Sequence, residues 1–201
     1  MTLRGARVPA GASHALAAVL FWSTSASAFK LTLRHLEPAQ LLLVSTGVST
    51  VVLGGVLLAR RQLRPVIALP GRAWLRSGAL GLLNPCLYYL ILFAAYARLP
   101  AQQAQPLNQT WALVLAWLSA LLLGQRLLRW DVLAGFICYG GVLIVATRGD
   151  VLSFRFDDIT GVALALGSTI IWALYWVGVT RDDVDPVQRL FLNFLLALPP
   201  V

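Results

Sequence analysis

Residues 101–127 read AQQAQPLNQTWALVLAWLSALLLGQRL, an apolar stretch whose first half carries several amides, a proline and a tryptophan. The stretch is long enough to cross a bilayer as a helix. Because amide side chains are costly to place in hydrocarbon, we expect this half to face protein or a water-lined path rather than lipid. One helical face, defined by spacings of three and four residues, is small and polar. It carries Gln102, Gln105, Asn108 or Gln109, and Ala112.

The overall composition is that of an integral membrane protein. Hydrophobic residues make up 59% of the 201 residues and charged residues 12%, which lies outside the usual range for soluble domains. The formal net charge of +8 does not indicate nucleic acid, because the basic residues are scattered between apolar stretches. The expected partners are the lipid bilayer and a small-molecule substrate. Cys86 and Cys138 lie inside apolar stretches, so no disulfide, metal or cofactor is predicted.

The chain is predicted to be an all-α polytopic membrane protein. Short connections make consecutive helices antiparallel neighbours. Residues 60–76, with five arginines and two prolines, are predicted to form a basic surface loop. A truncated seventh helix is predicted to open at Pro186 and stop at Val201. Apolar runs of about twenty residues predict six full transmembrane helices, at residues 13–34, 38–59, 77–97, 101–123, 132–147 and 159–179.

The basic residues divide unevenly between the two sides of these helices, which predicts the orientation. By the positive-inside rule, residues 1–12 are cytoplasmic and the chain is a multi-pass protein of the inner (plasma) membrane. A secretory signal peptide is the alternative, since two arginines precede an apolar run and the small residues STSASA. The apolar pattern nevertheless continues past that point to Leu33. The side of the amino terminus carries Arg4, Arg7, Arg60, Arg61, Arg64, Arg72, Arg76, Arg126, Arg129 and Arg181, and the other side carries Arg34, Arg98, Arg148 and Arg155.

Two segments of the chain resemble each other. Trp22 is followed by EPAQ at residues 37–40 and Trp172 by DPVQ at residues 185–188, and each acid-Pro-x-Gln motif opens the next apolar run. Because an odd number of helices separates the copies, the second copy must enter the membrane from the opposite face, as in an inverted-repeat transporter. The predicted units are a first repeat at 13–149 and a second repeat at 159–201. The second is incomplete by about three helices of twenty residues each.

Several short motifs, taken in order, resemble the EamA-type drug/metabolite transporters. They are LFWSTSASAFKL at 20–31 with the Glu-Pro at 37–38, AAYAR at 94–98 with the Gln-Pro at 105–106, LLLGQRL at 121–127, and LAGFICYGGVLIVATRG at 133–149. The resemblance implies a ten-helix fold of two five-helix units, of which this chain carries the first and the start of the second. The Asn108-x-x-Trp111 pair resembles the corresponding residues of the branch that exports aromatic amino acids. Gln125 stands where family members usually carry glutamate.

The sequence contains no pattern that predicts an enzyme or a nucleotide-driven pump. A phosphate-binding GxxxxGK[ST] loop, a zinc-binding HExxH helix and a GxSxG nucleophile elbow are all absent from it. The eight acidic residues lie in predicted loops or at helix ends, so a carboxylate proton relay at the membrane midplane is not predicted. Transport would be driven by a gradient or would be facilitated diffusion.

A substrate cavity is predicted from aromatic, amide and hydroxyl side chains in the middle of the helices. Such a lining suits a neutral or zwitterionic organic solute, because it offers apolar area and orienting hydrogen bonds. The alternative for the small polar residues is helix-to-helix packing. Lys30 is expected to extend to the outer interface, and Pro85 and Pro106 are expected to bend their helices. The predicted substrate-binding residues are Trp22, Asn84, Tyr88, Gln105, Asn108, Trp111, Trp172 and Tyr175.

The function expected from these features is export of a small amino-acid-like or aromatic metabolite by alternating access. The first alternative is that the truncated chain is a transport-inactive remnant or a membrane interaction subunit. The second is a small multidrug-type dimer, against which the repeat and the length of the chain argue. The sequence is also compatible with a homodimer of the predicted fold.

Overall fold

The computed structural model describes residues 11–147, 149–150, 158–180 and 184–201. The predicted cytoplasmic segment 1–12 and the connection between the two predicted repeats lie largely outside these residues. Throughout the described part the chain is helical, without a β-strand. The elements are α1 (Ala12–Thr32), α2 (Pro38–Ala59), α3 (Leu63–Ile67), α4 (Gly71–Gly81), a π-helical segment (Leu82–Leu87), α5 (Tyr88–Arg98), α6 (Ala101–Gln109), α7 (Trp111–Leu123), α8 (Arg129–Ala146), α9 (Ile159–Val179) and α10 (Pro186–Ala197).

Five helical stretches of the described residues are long and apolar enough to cross a membrane. This confirms the predicted all-α polytopic membrane fold. Of the other two predicted spans, the fifth corresponds to α8, with 18 residues, and the truncated seventh to α10, with 12; neither is among those five. The five are Ala12–Thr32, Pro38–Ala59, Gly71–Arg98, Ala101–Leu123 and Ile159–Val179.

Both acid-Pro-x-Gln motifs begin a helix. Pro38 and Pro186 are the first residues of α2 and α10, a position where the missing N–H of proline costs nothing. The Gln40 side chain accepts a hydrogen bond from the Glu37 N–H at 2.9 Å. At the second motif, the Asp185 carboxylate accepts the N–H groups of the next helix at 2.9 and 3.2 Å. The motif therefore predicts the two helix starts because it is a local capping device.

Two membrane-spanning stretches are interrupted near the prolines predicted to bend them. In the third stretch, Asn84 has φ −143° and ψ 115° within the π-helical segment that also holds Pro85. In the fourth, α6 ends at Gln109 and α7 begins two residues later. Proline has no N–H to give to the preceding turn and its ring crowds that turn, which accounts for the irregular backbone before Pro85. The break in the fourth stretch lies after Pro106, beyond the turn that this proline disturbs.

The predicted basic loop at 60–76 is wrong in part. Its short apolar run forms α3, which buries Val66 against Leu57 and Leu192, and its last arginines belong to α4. These apolar side chains are buried because they pack into an apolar groove between α2 and α10. Only part of this region is a surface loop.

Helix α9 packs against α5, α6 and α7, whereas α10 packs against α2 and α4. Glycines allow the closest approaches. A Cβ atom at Gly161 would lie 2.8 Å from Leu99 Cγ, and one at Gly81 would lie 2.5 Å from the carbonyl oxygen of Asn193. Small residues at such crossings are typical of membrane helices, where close backbone packing replaces the hydrophobic effect.

Lys30 lies near the end of α1, and its side chain reaches the end of the neighbouring spanning stretch, which closes at Arg98. Its ammonium group donates hydrogen bonds to the carbonyl oxygens of Tyr96 at 2.7 Å and Leu99 at 2.9 Å. These carbonyls lie at the carboxyl end of α5, where the helix provides no N–H partners and carries a partial negative charge. Lys30 therefore fastens α1 to the end of α5.

Arg189 lies within the predicted seventh helix, and it is 2% exposed. It donates to the Ser77 hydroxyl at 2.5 Å and to the Ala73 carbonyl at 3.3 Å. A charged side chain inside a membrane protein is expected to face the bundle and bind polar groups there. Arg189 thus fixes α10 against α4.

Candidate functional site

A cavity of about 100 Å³ opens between α1, α5, α6, α7 and α9. We refer to it as the amide cavity, because three side-chain amides line it. It forms at the predicted polar face of the fourth span, where Gln105 and Asn108 lie on α6. Its lining residues are Trp22, Ser25, Phe29, Tyr88, Tyr89, Leu92, Tyr96, Gln105, Asn108, Gln109, Trp111 and Trp172.

Six of the eight predicted site residues line the amide cavity, and two do not. Tyr175 lies behind the wall, where its ring stacks on Trp172 with centroids 5.7 Å apart and its hydroxyl lies 3.3 Å from the Asn193 amide. Asn84 is buried within the π-helical segment. The prediction for Asn84 assumes a regular helix. The backbone leaves helical geometry at this residue, so its side chain does not lie on the expected face.

Asn108 connects three helices at the buried side of the cavity. The Tyr88 hydroxyl donates to Asn108 Oδ1 at 3.1 Å, and Asn108 Nδ2 donates to Ser168 Oγ at 3.1 Å. The Ser168 hydroxyl in turn donates to the Ala165 carbonyl at 2.7 Å. Since a side-chain amide has two N–H donors and two acceptor lone pairs, Asn108 can hold these helices and still offer a group to a solute.

The other amides are also oriented by aromatic neighbours. The Tyr96 hydroxyl donates to Gln105 Oε1, and the Trp111 indole N–H donates to Gln109 Oε1 at 3.0 Å. Both bonds use the amide oxygen, so each glutamine retains its N–H donors. These pairs position hydrogen-bond donors at the rim of the cavity.

Trp172 forms the centre of the aromatic wall. Its ring lies 4.4 Å from that of Tyr88 and 6.3 Å from that of Trp111, measured between centroids. Rings at these distances restrict one another and present a broad apolar surface. The wall therefore suits a flat or branched apolar group, and the amides suit the polar part of the same molecule.

The comparison with known proteins agrees with this architecture. Residues 9–147 match the EamA-like transporter family, which is more than half of the chain. The chain belongs to the EamA-like transporter family. It is therefore a multi-pass membrane transporter. No curated protein and no solved structure shows significant similarity to it.

The family match covers only part of the amide cavity of this EamA-like chain. It includes the residues contributed by α1, α5, α6 and α7, whereas Trp172 on α9 lies beyond residue 147. The cavity therefore joins the EamA-like region to the segment that follows it. Ser168, which holds Asn108, also lies in that following segment.

The described residues that line the cavity of this EamA-like transporter carry no formal charge. The described part of the chain also holds no group of three or more His, Cys, Asp or Glu side chains that could bind a metal ion. A charged pair lies instead at the end of the bundle, where Arg98 contacts Asp158 at 3.0 Å. The Gly161 N–H and then Arg98 lower the pKa of the Asp158 carboxyl, which remains ionised at neutral pH.

Several lining residues were not predicted as site residues, notably Phe29, Tyr89, Leu92, Tyr96 and Gln109. Tyr89, Leu92 and Tyr96 are spaced by three and four residues on α5, so they share one helical face. That pattern indicates a common neighbour, but it does not distinguish a cavity from ordinary packing. The difference depends on where α1 and α6 cross α5.

Proposed function

We propose that the amide cavity binds a small neutral or zwitterionic solute, amino-acid-like or aromatic, which the protein exports by alternating access. The observation that carries this proposal is the uncharged lining, in which an aromatic wall faces oriented amides. Desolvating a net charge there would be costly without an opposite charge. Aromatic area and a few amide donors favour a solute with both apolar and polar parts.

The size of the cavity favours a mechanism with wall movement. At about 100 Å³ it is smaller than the roughly 300–1,000 Å³ of typical ligand sites. A solute of the proposed class would enter only if the helices around it moved apart. Rocking of two membrane repeats about a central site is the motion that alternating access requires.

The arrangement of the two tryptophan copies supports an inverted repeat, with units at 13–149 and 159–201. Trp22 and Trp172 occupy equivalent places in the proposed units, and both line the amide cavity. The helices that follow them, α2 and α10, begin with the same motif. A site at the interface of two related units is typical of such transporters.

The proposed orientation places the amino terminus and the 60–76 region in the cytoplasm, with the protein in the inner membrane. The excess of arginine on that side supports it. A cysteine replacing Arg64 should then react with an impermeant reagent only from the cytoplasmic side. Reaction from the outside would reverse the orientation.

The exposure of α1 favours a second candidate function, that of an interaction subunit. Ala26 is the buried residue of this helix, and Trp22 is 57% exposed although it lines the cavity. A helix with so much uncovered surface could pack against another membrane protein. In that case the chain would not transport a solute by itself.

Transport in liposomes distinguishes the two candidates. Purified protein would be tested with labelled neutral, aromatic, acidic and basic amino acids. We expect uptake of neutral or aromatic ones, with a rate that Trp172→Ala lowers and that Leu121→Ala, on an exposed face of α7, leaves unchanged. Preference for charged solutes would contradict the proposed substrate class, and inactivity of folded protein toward all of them would favour the interaction subunit.

A further inference from the structure

A second cavity lies between α7 and α8, and it shares no lining residue with the amide cavity. We refer to it as the α7–α8 cleft. Its volume is about 410 Å³, which is within the roughly 300–1,000 Å³ of typical ligand sites. The rings of Trp117 and Tyr139 stack within it, with centroids 5.6 Å apart. Its lining residues are Trp117, Leu127, Val132, Gly135, Phe136 and Tyr139.

Arginines stand at one end of this apolar cleft. Arg126 directly precedes the lining residue Leu127, and Arg129 is the first residue of α8. Because Arg129 is three residues before Val132 and seven before Phe136, it lies on the same helical face as these lining residues. Both arginines are exposed. Their charges therefore lie at the mouth of the cleft.

The neighbouring groups leave these arginines able to bind an anion. The Asp131 carboxylate accepts the backbone N–H of Leu128 at 2.8 Å, and the Arg129 guanidinium lies 5.2 Å from the centre of the Trp130 ring. Two arginines against one aspartate give the mouth a net positive charge. The exposed Trp130 is of the residue type that concentrates at the membrane surface.

We propose that the α7–α8 cleft binds an anionic glycerophospholipid, with an acyl chain in the cleft and the phosphate on Arg126 and Arg129. The guanidinium group matches phosphate geometry, and basic pockets between membrane helices are suited to anionic headgroups. The cleft opens beside an exposed apolar surface, since Phe136 is 75% exposed, and on a membrane-spanning α8 this surface would face the hydrocarbon. A lipid chain therefore reaches it directly from the bilayer, whereas a polar metabolite does not.

The geometry also predicts what the bound lipid does. A Cβ atom at Gly135 would lie 3.2 Å from Trp117 Cζ2, so the Trp117 ring of α7 lies directly against α8 at this glycine. An acyl chain would fill the space that the side chains leave. The lipid would thereby fasten α8 to α7 through apolar contact.

The test is native mass spectrometry of the full chain offered equal amounts of phosphatidylglycerol and phosphatidylcholine. We expect retained phosphatidylglycerol to exceed phosphatidylcholine by about tenfold, equivalent to about 1.4 kcal/mol. The double variant Arg126→Gln/Arg129→Gln should lose this preference. The matched control Arg64→Gln/Arg72→Gln removes the same charge from exposed positions elsewhere and should keep it.

Two further variants test whether the acyl chain enters the cleft. Gly135→Leu, or Val132→Phe from the same wall, should fill the space and abolish retention of the lipid. Brominated phosphatidylglycerol should quench the part of the fluorescence that Trp117→Phe removes. Equal lipid retention by all variants would overturn the proposal. Loss only in the Arg126/Arg129 variant, without Trp117 quenching, would also overturn it, because the headgroup alone would then be bound.

Discussion

At the scale of single residues, Asn108 shows how one side chain combines packing and binding. It is 6% exposed, yet it lines the amide cavity between its partners Tyr88 and Ser168. The sequence predicts a cavity role for Asn108 from its polar helical face. The contacts add a structural role, because the side chain holds α5, α6 and α9 together.

Asn108→Ala should lower both stability and solute binding. The substitution leaves the buried Tyr88 hydroxyl without its acceptor, which costs roughly 1–3 kcal/mol, whereas the Ser168 hydroxyl keeps its bond to the Ala165 carbonyl. Ser168→Ala is the matched control, because it removes one of the same hydrogen bonds but no residue of the cavity lining. Thermal unfolding and solute affinity should be measured for both. If the two variants lose equal affinity at equal stability, Asn108 acts only through packing.

The Arg98–Asp158 pair predicts a pH dependence at the end of α9. The pKa of the Asp158 carboxyl is lowered in the folded state, so the stability that the carboxylate contributes is present at neutral pH and is lost as the pH falls through that lowered pKa. Arg98→Gln should raise the Asp158 pKa only in part, because the Gly161 N–H is the larger cause. An NMR titration of the Asp158 carboxyl would check this. An ordinary pKa in the unmodified protein would contradict it.

At the scale of helices, sequence predicts the ends of helices better than their contacts with distant segments. The bounds of α2 and α9 agree with the prediction because proline, capping acids and apolar length are local signals. The packing of Val66 and the bonds of Lys30 were not predicted. They depend on partners distant in sequence, and no local pattern specifies which groove or helix end will be near.

Lys30→Met should destabilise the junction of α1 and α5. The ammonium group holds two carbonyls at 2.7 and 2.9 Å, and hydrogen bonds to charged groups contribute about 1.5–3 kcal/mol each. Lys30→Arg should retain most of the stability because it keeps charged donors. Thermal unfolding and hydrogen exchange at the end of α5 would measure the difference. A methionine variant as stable as the parent would show that the side chain is dispensable.

At the scale of the whole molecule, the amide cavity forms only where α9, late in the chain, packs beside the helices that precede it. Six of the predicted residues line one cavity. The prediction succeeds for them because an aromatic or amide side chain inside a membrane span serves either helix packing or ligand binding. Phe29 and Tyr89 were missed, since an aromatic residue in an apolar run is ordinary. Only the crossing of α1, α5 and α9 distinguishes them from other packing residues.

The most direct test of the amide cavity as the solute site is protection of a cysteine placed in its wall. Ser25→Cys would be made in a Cys86→Ala/Cys138→Ala background, with Arg64→Cys in the same background as the control outside the cavity. A transported neutral solute should slow maleimide labelling at position 25 in a concentration-dependent manner and leave position 64 unaffected. Equal labelling at position 25 with and without a saturating concentration of that solute would contradict the proposed site.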